Sequence, residues 1–179
     1  MKSVCVIGLG LIGGSIVRDI KLKKLAETVY AFDKHAKSLE KAKAAGWIDY
    51  AINEFNDIKD IKPDFIIVAT PIKSAAKILL NLAQEESLSN SIFTDTASAK
   101  GFVYEYLKDI KVKNIVLSHP MAGSHNSGFD ASIEGLFNNK KTIIVDAFKI
   151  DSENLGMVEE FWHKLGSEII KMNVDEHDY

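Results

Sequence analysis

The sequence predicts an α/β fold: a doubly wound, mostly parallel sheet with helices on both faces. Three observations predict it. Short β-branched runs alternate with stretches of helical spacing, the runs are apolar almost throughout, and the first of them runs directly into a glycine-rich turn. Apolar runs of this kind suit strands covered on both faces. Strand, helix, strand in repeated order implies parallel pairing through right-handed crossovers.

The runs are SVCVIG (3–8), TVYAFD (28–33), DFIIVATP (64–71), SIFTDTAS (91–98), NIVLSHP (114–120), TIIVD (142–146) and SEIIKM (167–172). Between most of them the spacing is helical. Over 152–165, for example, Leu155, Val158, Phe161, Trp162 and Leu165 recur three or four apart and form one apolar face. Pro63 and Gly101 punctuate element ends, and no low-complexity linker divides the chain.

At 179 residues, 46% of them hydrophobic, the chain is long enough for one sizeable core, and one domain is expected over 1–173. The net charge of −3 is spread over scattered residues, so the basic footprint of a nucleic-acid binder is missing. Lys21, Lys23 and Lys24 read as a solvated helix end. No apolar run approaches the roughly 18 to 20 residues that span a bilayer. The single cysteine, Cys5, sits mid-strand between two valines, which is the setting of a buried, inert thiol in a cytoplasmic protein.

The glycine turn reads GLGLIGGS. Gly8, Gly10 and Gly13 form a G-x-G-x-x-G between a strand and a helix. The first glycine allows the tight turn, the second lets a pyrophosphate approach the backbone, and the third lets helix and strand lie close. Leu11 and Ile12 open the helix, whose free amides and positive dipole end suit phosphate. Ile16, Val17 and Ile20 continue its apolar face, and Asp33 closes the second strand. This is the Rossmann-type pattern of a dinucleotide site. A carboxylate there receives ribose hydroxyls and repels a 2′-phosphate, which favours NAD over NADP. Lys34 and His35 read as a solvated helix entry, although either could turn toward a phosphate.

Ligands of an open parallel sheet bind at the carboxyl ends of its strands. Three later strands end in polar residues at that edge: Ala69, Thr70 and Pro71; Asp95 to Ser98; Ser118, His119 and Pro120. His119 is the candidate base, as the side chain whose ordinary pKa of about 6.5 lets it accept a proton near neutrality. His163 and His177 are assigned no role. No His, Cys or carboxylate cluster has metal-ligand spacing, so no metal is expected.

Taken together, VIGLGLIGGS, ATP at 69–71, DTASAK at 95–100 and HPMAGSHNSG at 119–128 resemble the nicotinamide domain of prephenate dehydrogenases and their arogenate-using relatives. The resemblance implies an oxidoreductase of tyrosine biosynthesis. Prephenate would lose hydride to NAD and its ring carboxylate as CO2, giving 4-hydroxyphenylpyruvate. His119 would draw off the ring hydroxyl proton, Ser98 would orient that hydroxyl, and Ser124 would contact substrate. Ser98 also reads as the N-cap of a helix starting at Ala99. Where many members carry an acid, this sequence has His125, which either adds positive charge toward a dicarboxylate or has no role.

The resemblance further implies that 174–179 begin a linker to a C-terminal helical domain, absent from this chain, that forms the homodimer and supplies an arginine for a substrate carboxylate. Without it, NAD should bind but turnover should be low. Arg18, the one arginine here, either approaches phosphate or is solvated. The other readings left open are a reductase or β-hydroxyacid dehydrogenase sharing the glycine turn, and a non-catalytic NAD-sensing module.

Overall fold

Eight strands form one sheet in the order β3-β2-β1-β4-β5-β6-β7-β8 in a computed structural model that describes residues 1–178. In chain order the elements are β1 (Ser3–Ile7), α1 (Leu11–Leu22), β2 (Thr28–Phe32), α2 (Ala36–Ala44), β3 (Tyr50–Ile52), α3 (Ile58–Ile61), β4 (Phe65–Val68), α4 (Ile72–Ala83), β5 (Ile92–Asp95), α5 (Lys100–Leu107), β6 (Ile115–Pro120), β7 (Lys141–Val145), α6 (Ser152–Lys164), β8 (Glu168–Met172) and α7 (Val174–Asp178). Each run named from the sequence is a strand. The sheet is the expected Rossmann-type, doubly wound one.

Strand periodicity of two splits the core into two layers. Val4 and Val6 of β1 pack with Ile16, Val17 and Ile20 of α1 on one face. Cys5 and Ile7 pack with Ala75 and Leu79 of α4 and Val103 of α5 on the other. Cys5 is buried, and burial pushes its thiol up to about 12, so it is inert at neutral pH as expected.

The sequence order reverses at β1, which pairs with β2 on one side and β4 on the other. Such a switch point opens a crevice at the carboxyl ends of the two strands. One short strand has no counterpart among the runs, and two local readings need correction. β3 is only three residues long, too short for the alternation that marks a strand, and is fixed by pairing with β2 and by Tyr50 stacking on Tyr30 at 5.3 Å. Gly101 lies inside the first turn of α5. The cluster at the end of α1 is not wholly solvated, because Lys21 Nζ bonds Asp49 Oδ1 at 2.6 Å.

β7 runs antiparallel to β6, with Leu117 opposite Val145 and Pro120 opposite Thr142. The cause lies in residues 121–140, which hold only a single 3₁₀ turn at Phe129–Ala131. Without a crossover helix the chain returns on the same edge and must pair head to tail. That segment therefore lies over the same edge as the glycine turn.

Candidate active site

The crevice beside β1 is built as a nucleotide cradle. Gly8 has φ of +96° and ends the strand. A Cβ on Gly13 would stand 1.8 Å from the Gly8 carbonyl oxygen, so this glycine is what lets α1 start against the strand. At Gly10 a Cβ would meet no protein atom within 4 Å, so that backbone faces open space. Gly10 caps α1 without a side-chain hydrogen bond, which leaves the first amides, those of Leu11 and Ile12 included, to an incoming anion. The side chains of Leu11 and Ile12 point elsewhere, toward Gly123 of the loop after β6.

Asp33 sits at the end of β2. Its Oδ2 accepts the Leu9 amide at 2.6 Å and its Oδ1 accepts the His35 amide at 2.7 Å. The carboxylate thus holds the glycine turn and fixes its own orientation. A cleft of about 530 Å³ runs past Gly8, Gly10, Asp33, Ala69, Thr70 and Pro71. Thr70 Oγ1 is buried with no hydrogen-bond partner among the described residues. An open backbone, free helix amides, a carboxylate and an orphan hydroxyl on one cleft fit a dinucleotide.

His119 stands near the end of β6, half-buried, in an open cleft with Met121, Ser124 and Lys140. Successive residues of β6 face opposite ways. Ser118 is buried, where its hydroxyl donates to the Asp95 carbonyl at 2.5 Å and accepts from Trp162 Nε1 at 3.0 Å. Asp95 Oδ1 accepts the Ser118 amide at 3.1 Å, while its Oδ2 accepts the Ala97 amide at 3.0 Å and meets Lys100 Nζ at 2.5 Å. This network anchors β6 to β5 just where His119 emerges.

Burial first, then the Lys100 cation and His177, hold the His119 pKa below its ordinary value, against the opposite pull of Asp95 and Asp178. The ring is therefore neutral at pH 7, as a base must be. Its Nδ1 lies 2.9 Å from His177 Nε2, and His177 Nδ1 lies 2.6 Å from Asp178 Oδ1. His177, assigned no role from the sequence, thus contacts the His119 ring. Proximity to His119 is a tertiary contact made by α7, and no spacing in the sequence signals it. Lys140 was missed for the same reason.

The remaining residues separate. Ser124 lines the His119 cleft, and its Oγ accepts the Asn126 amide at 3.1 Å, which shapes the loop. His125 is exposed and lines neither cleft. Ser98 lies on the same edge, exposed, and bonds neither His119 nor helix backbone. It is not a cap: Ala99 holds that position, α5 starts at Lys100, and Asp178 accepts the Lys100 and Gly101 amides at 2.9 and 2.7 Å. Arg18 neither reaches the cradle nor is solvated. Its Nε donates to Ser132 Oγ at 2.9 Å, and its guanidinium lies 5.0 Å from the Trp47 ring centroid and 5.3 Å from that of Phe129.

A Rossmann sheet with its cradle at the switch point and a histidine on the same edge defines a dinucleotide-binding domain of the dehydrogenase class. The chain belongs to the prephenate dehydrogenase family: residues 16–171 match the model of the prephenate dehydrogenase nucleotide-binding domain. It is 30% identical to a prephenate dehydrogenase of Bacillus subtilis over 98% of this chain and 48% of that protein. It is 29% identical to a cyclohexadienyl dehydrogenase of Zymomonas mobilis over 99% of this chain and 60% of that protein. The crystal structure of prephenate dehydrogenase from A. aeolicus in complex with hydroxyphenyl propionate and NAD+ superposes with a TM-score of 0.89 at 28% identity, covering 100% of this chain and 62% of that one. The chain thus spans about half to two thirds of the length of these relatives.

Proposed function

We propose that this chain binds NAD and carries the proton-accepting half of an oxidation in which prephenate, or its amino counterpart arogenate, loses hydride and CO2. The observation that carries the reading is His119, half-buried at the carboxyl edge of the sheet in a cleft beside the nucleotide cradle, where burial holds its pKa below the ordinary value. The NAD+ bound to the A. aeolicus relative supports the choice of cofactor.

Gly10 and the first amides of α1 hold the pyrophosphate, and Asp33 receives the adenosine ribose hydroxyls. Thr70 offers its buried hydroxyl to the same ligand. Bound NAD supplies the hydride acceptor. His119 takes the substrate hydroxyl proton, which raises electron density on the carbinol carbon, and a positioned base contributes roughly 10²- to 10⁴-fold. Ser98 orients the hydroxyl, while Ser124 and Lys140 meet the substrate's polar end, Lys140 as the cation for a carboxylate. His125 lines neither cleft, so its proposed contact rests on the resemblance alone. Dimerisation and further carboxylate contacts belong, in this proposal, to a helical domain such as the relatives' additional length accommodates.

The test is an NAD titration followed by addition of prephenate or arogenate, with NADH absorbance as the readout. Dinucleotide binding and NADH formation that depends on one of the two acids are expected. NAD binding without NADH formation, even when a helical partner domain is supplied, would favour a sensing module. Failure to bind any dinucleotide would overturn the proposal.

A further inference from the structure

We infer that His177 is a positioning residue for His119: backed by Asp178, it fixes which ring nitrogen of His119 carries the proton and leaves Nε2 as the open acceptor. The inference rests on the proposed role of His119 as base and adds its orientation and tautomer.

The chain of partners has one direction. An ionised carboxylate only accepts hydrogen bonds. Asp178 Oδ1 takes the Lys100 amide at 2.9 Å and His177 Nδ1 at 2.6 Å, while Oδ2 takes the Gly101 amide at 2.7 Å. Although burial works upward, His177 and these two amides hold the Asp178 pKa below the usual carboxylate range. His177 Nδ1 must therefore carry a hydrogen. A neutral imidazole has only one, so His177 Nε2 is bare and accepts from its neighbour 2.9 Å away, His119 Nδ1. With its proton committed to Nδ1, neutral His119 presents a bare Nε2. A free histidine prefers the opposite tautomer, and the partner chain reverses that preference.

The burial of the His177 side chain makes the relay specific. The His177 side chain is 3% exposed, so water cannot readily replace it as the partner of His119. The two rings meet edge to face, with centroids 5.1 Å apart and planes inclined by 62°. The charged groups around His119 are Asp95 of β5, Lys100 of α5 and Asp178 of α7, and Lys140 lines the same cleft. When the substrate O–H gives its proton to Nε2, the C–H electron pair leaves as hydride to the dinucleotide. The imidazolium so formed already donates Nδ1–H to His177, and no second proton moves. Asp178 stays ionised and stabilises the cation through His177.

The test is nitrogen-detected NMR of the histidine rings in the whole chain, in the wild type and in His177→Phe and His177→Gln. The wild type is expected to hold the His119 proton on Nδ1. In His177→Phe that proton should move to Nε2, because Nδ1 has lost the acceptor 2.9 Å away. The Gln amide oxygen can stand in for Nε2, so His177→Gln should restore the Nδ1–H form. Where turnover is measurable, kcat in the Phe variant should drop about tenfold or more with KM little changed, the loss expected of a misoriented base. The inference is overturned if wild-type His119 carries its proton on Nε2, or if the Phe variant keeps the wild-type tautomer. Absence of NADH formation in the wild type would count against the proposed reaction alone, since the ring spectrum still decides the tautomer.

Discussion

Lys100 Nζ lies 2.5 Å from Asp95 Oδ2, and neither side chain has any exposed surface. Burial lowers the Lys100 pKa, and Asp95 works against that shift by charge and hydrogen bond. Removing the cation alone strands a buried carboxylate, which costs about 3–5 kcal/mol. Lys100→Met should show that loss in denaturant unfolding. Combining it with Asp95→Asn should recover part, since a neutral amide oxygen can still accept from Ser118.

Gly10 and Gly13 should respond differently to the same methyl group. Gly13→Ala drives a Cβ into the Gly8 carbonyl, so both Tm and NAD affinity should fall. Gly10→Ala meets no protein atom and has an ordinary φ of −79°. Its Tm should stay at the wild-type value while NAD affinity drops, because the methyl occupies the space a pyrophosphate needs. Thermal melts with and without NAD distinguish the two.

Asp33→Ser removes the acceptor for the Leu9 amide and the anion that disfavours a 2′-phosphate. NAD affinity should fall about tenfold or more, as a hydrogen bond to a charged group is worth about 1.5–3 kcal/mol. NADP affinity should fall less. An unchanged NAD/NADP ratio in parallel titrations would remove Asp33 from cofactor discrimination.

His119 sets a pH dependence of known sign. Its folded pKa lies below the unfolded value of about 6.5, so the unfolded chain binds the proton first as pH falls. This contribution to stability is fully present above about pH 6.5 and is lost as pH drops toward the folded pKa. Catalytic efficiency should fall over the lower part of the same window as the base protonates. His119→Asn should flatten that portion of the stability profile, cut kcat by roughly 10²- to 10⁴-fold, and leave NAD affinity near wild type. Urea midpoints between pH 4 and 8, with NAD titrations, check all three.

The glycine turn, Asp33 and the placement of His119 were legible because each depends on local order: a turn between strand and helix, or a polar residue ending an apolar run. β3 was illegible because three residues carry no period. The reversed β7 lay in the missing helix between 121 and 140, a silence easily read as an ordinary loop. The Ser98 cap failed because a better acceptor, Asp178, arrives from a distant part of the chain. The surroundings of His177, Arg18 and Lys140 were illegible for one reason. Their partners are fixed by packing between elements, and adjacent residues say nothing of it.

The cap of α5 has a consequence for assembly. Asp178 comes 78 residues after the amide of Lys100 that it accepts, so the first turn of that helix stays unsealed until α7 arrives. Closing so long a loop costs entropy before any contact rewards it. The same arrival brings His177 to His119. The nucleotide cradle, built from the first seventy or so residues, does not depend on α7, whereas the proposed tautomer of His119 is set only by that docking. On the proposed reading, the orientation of the base is then set by the last of the described elements in the chain.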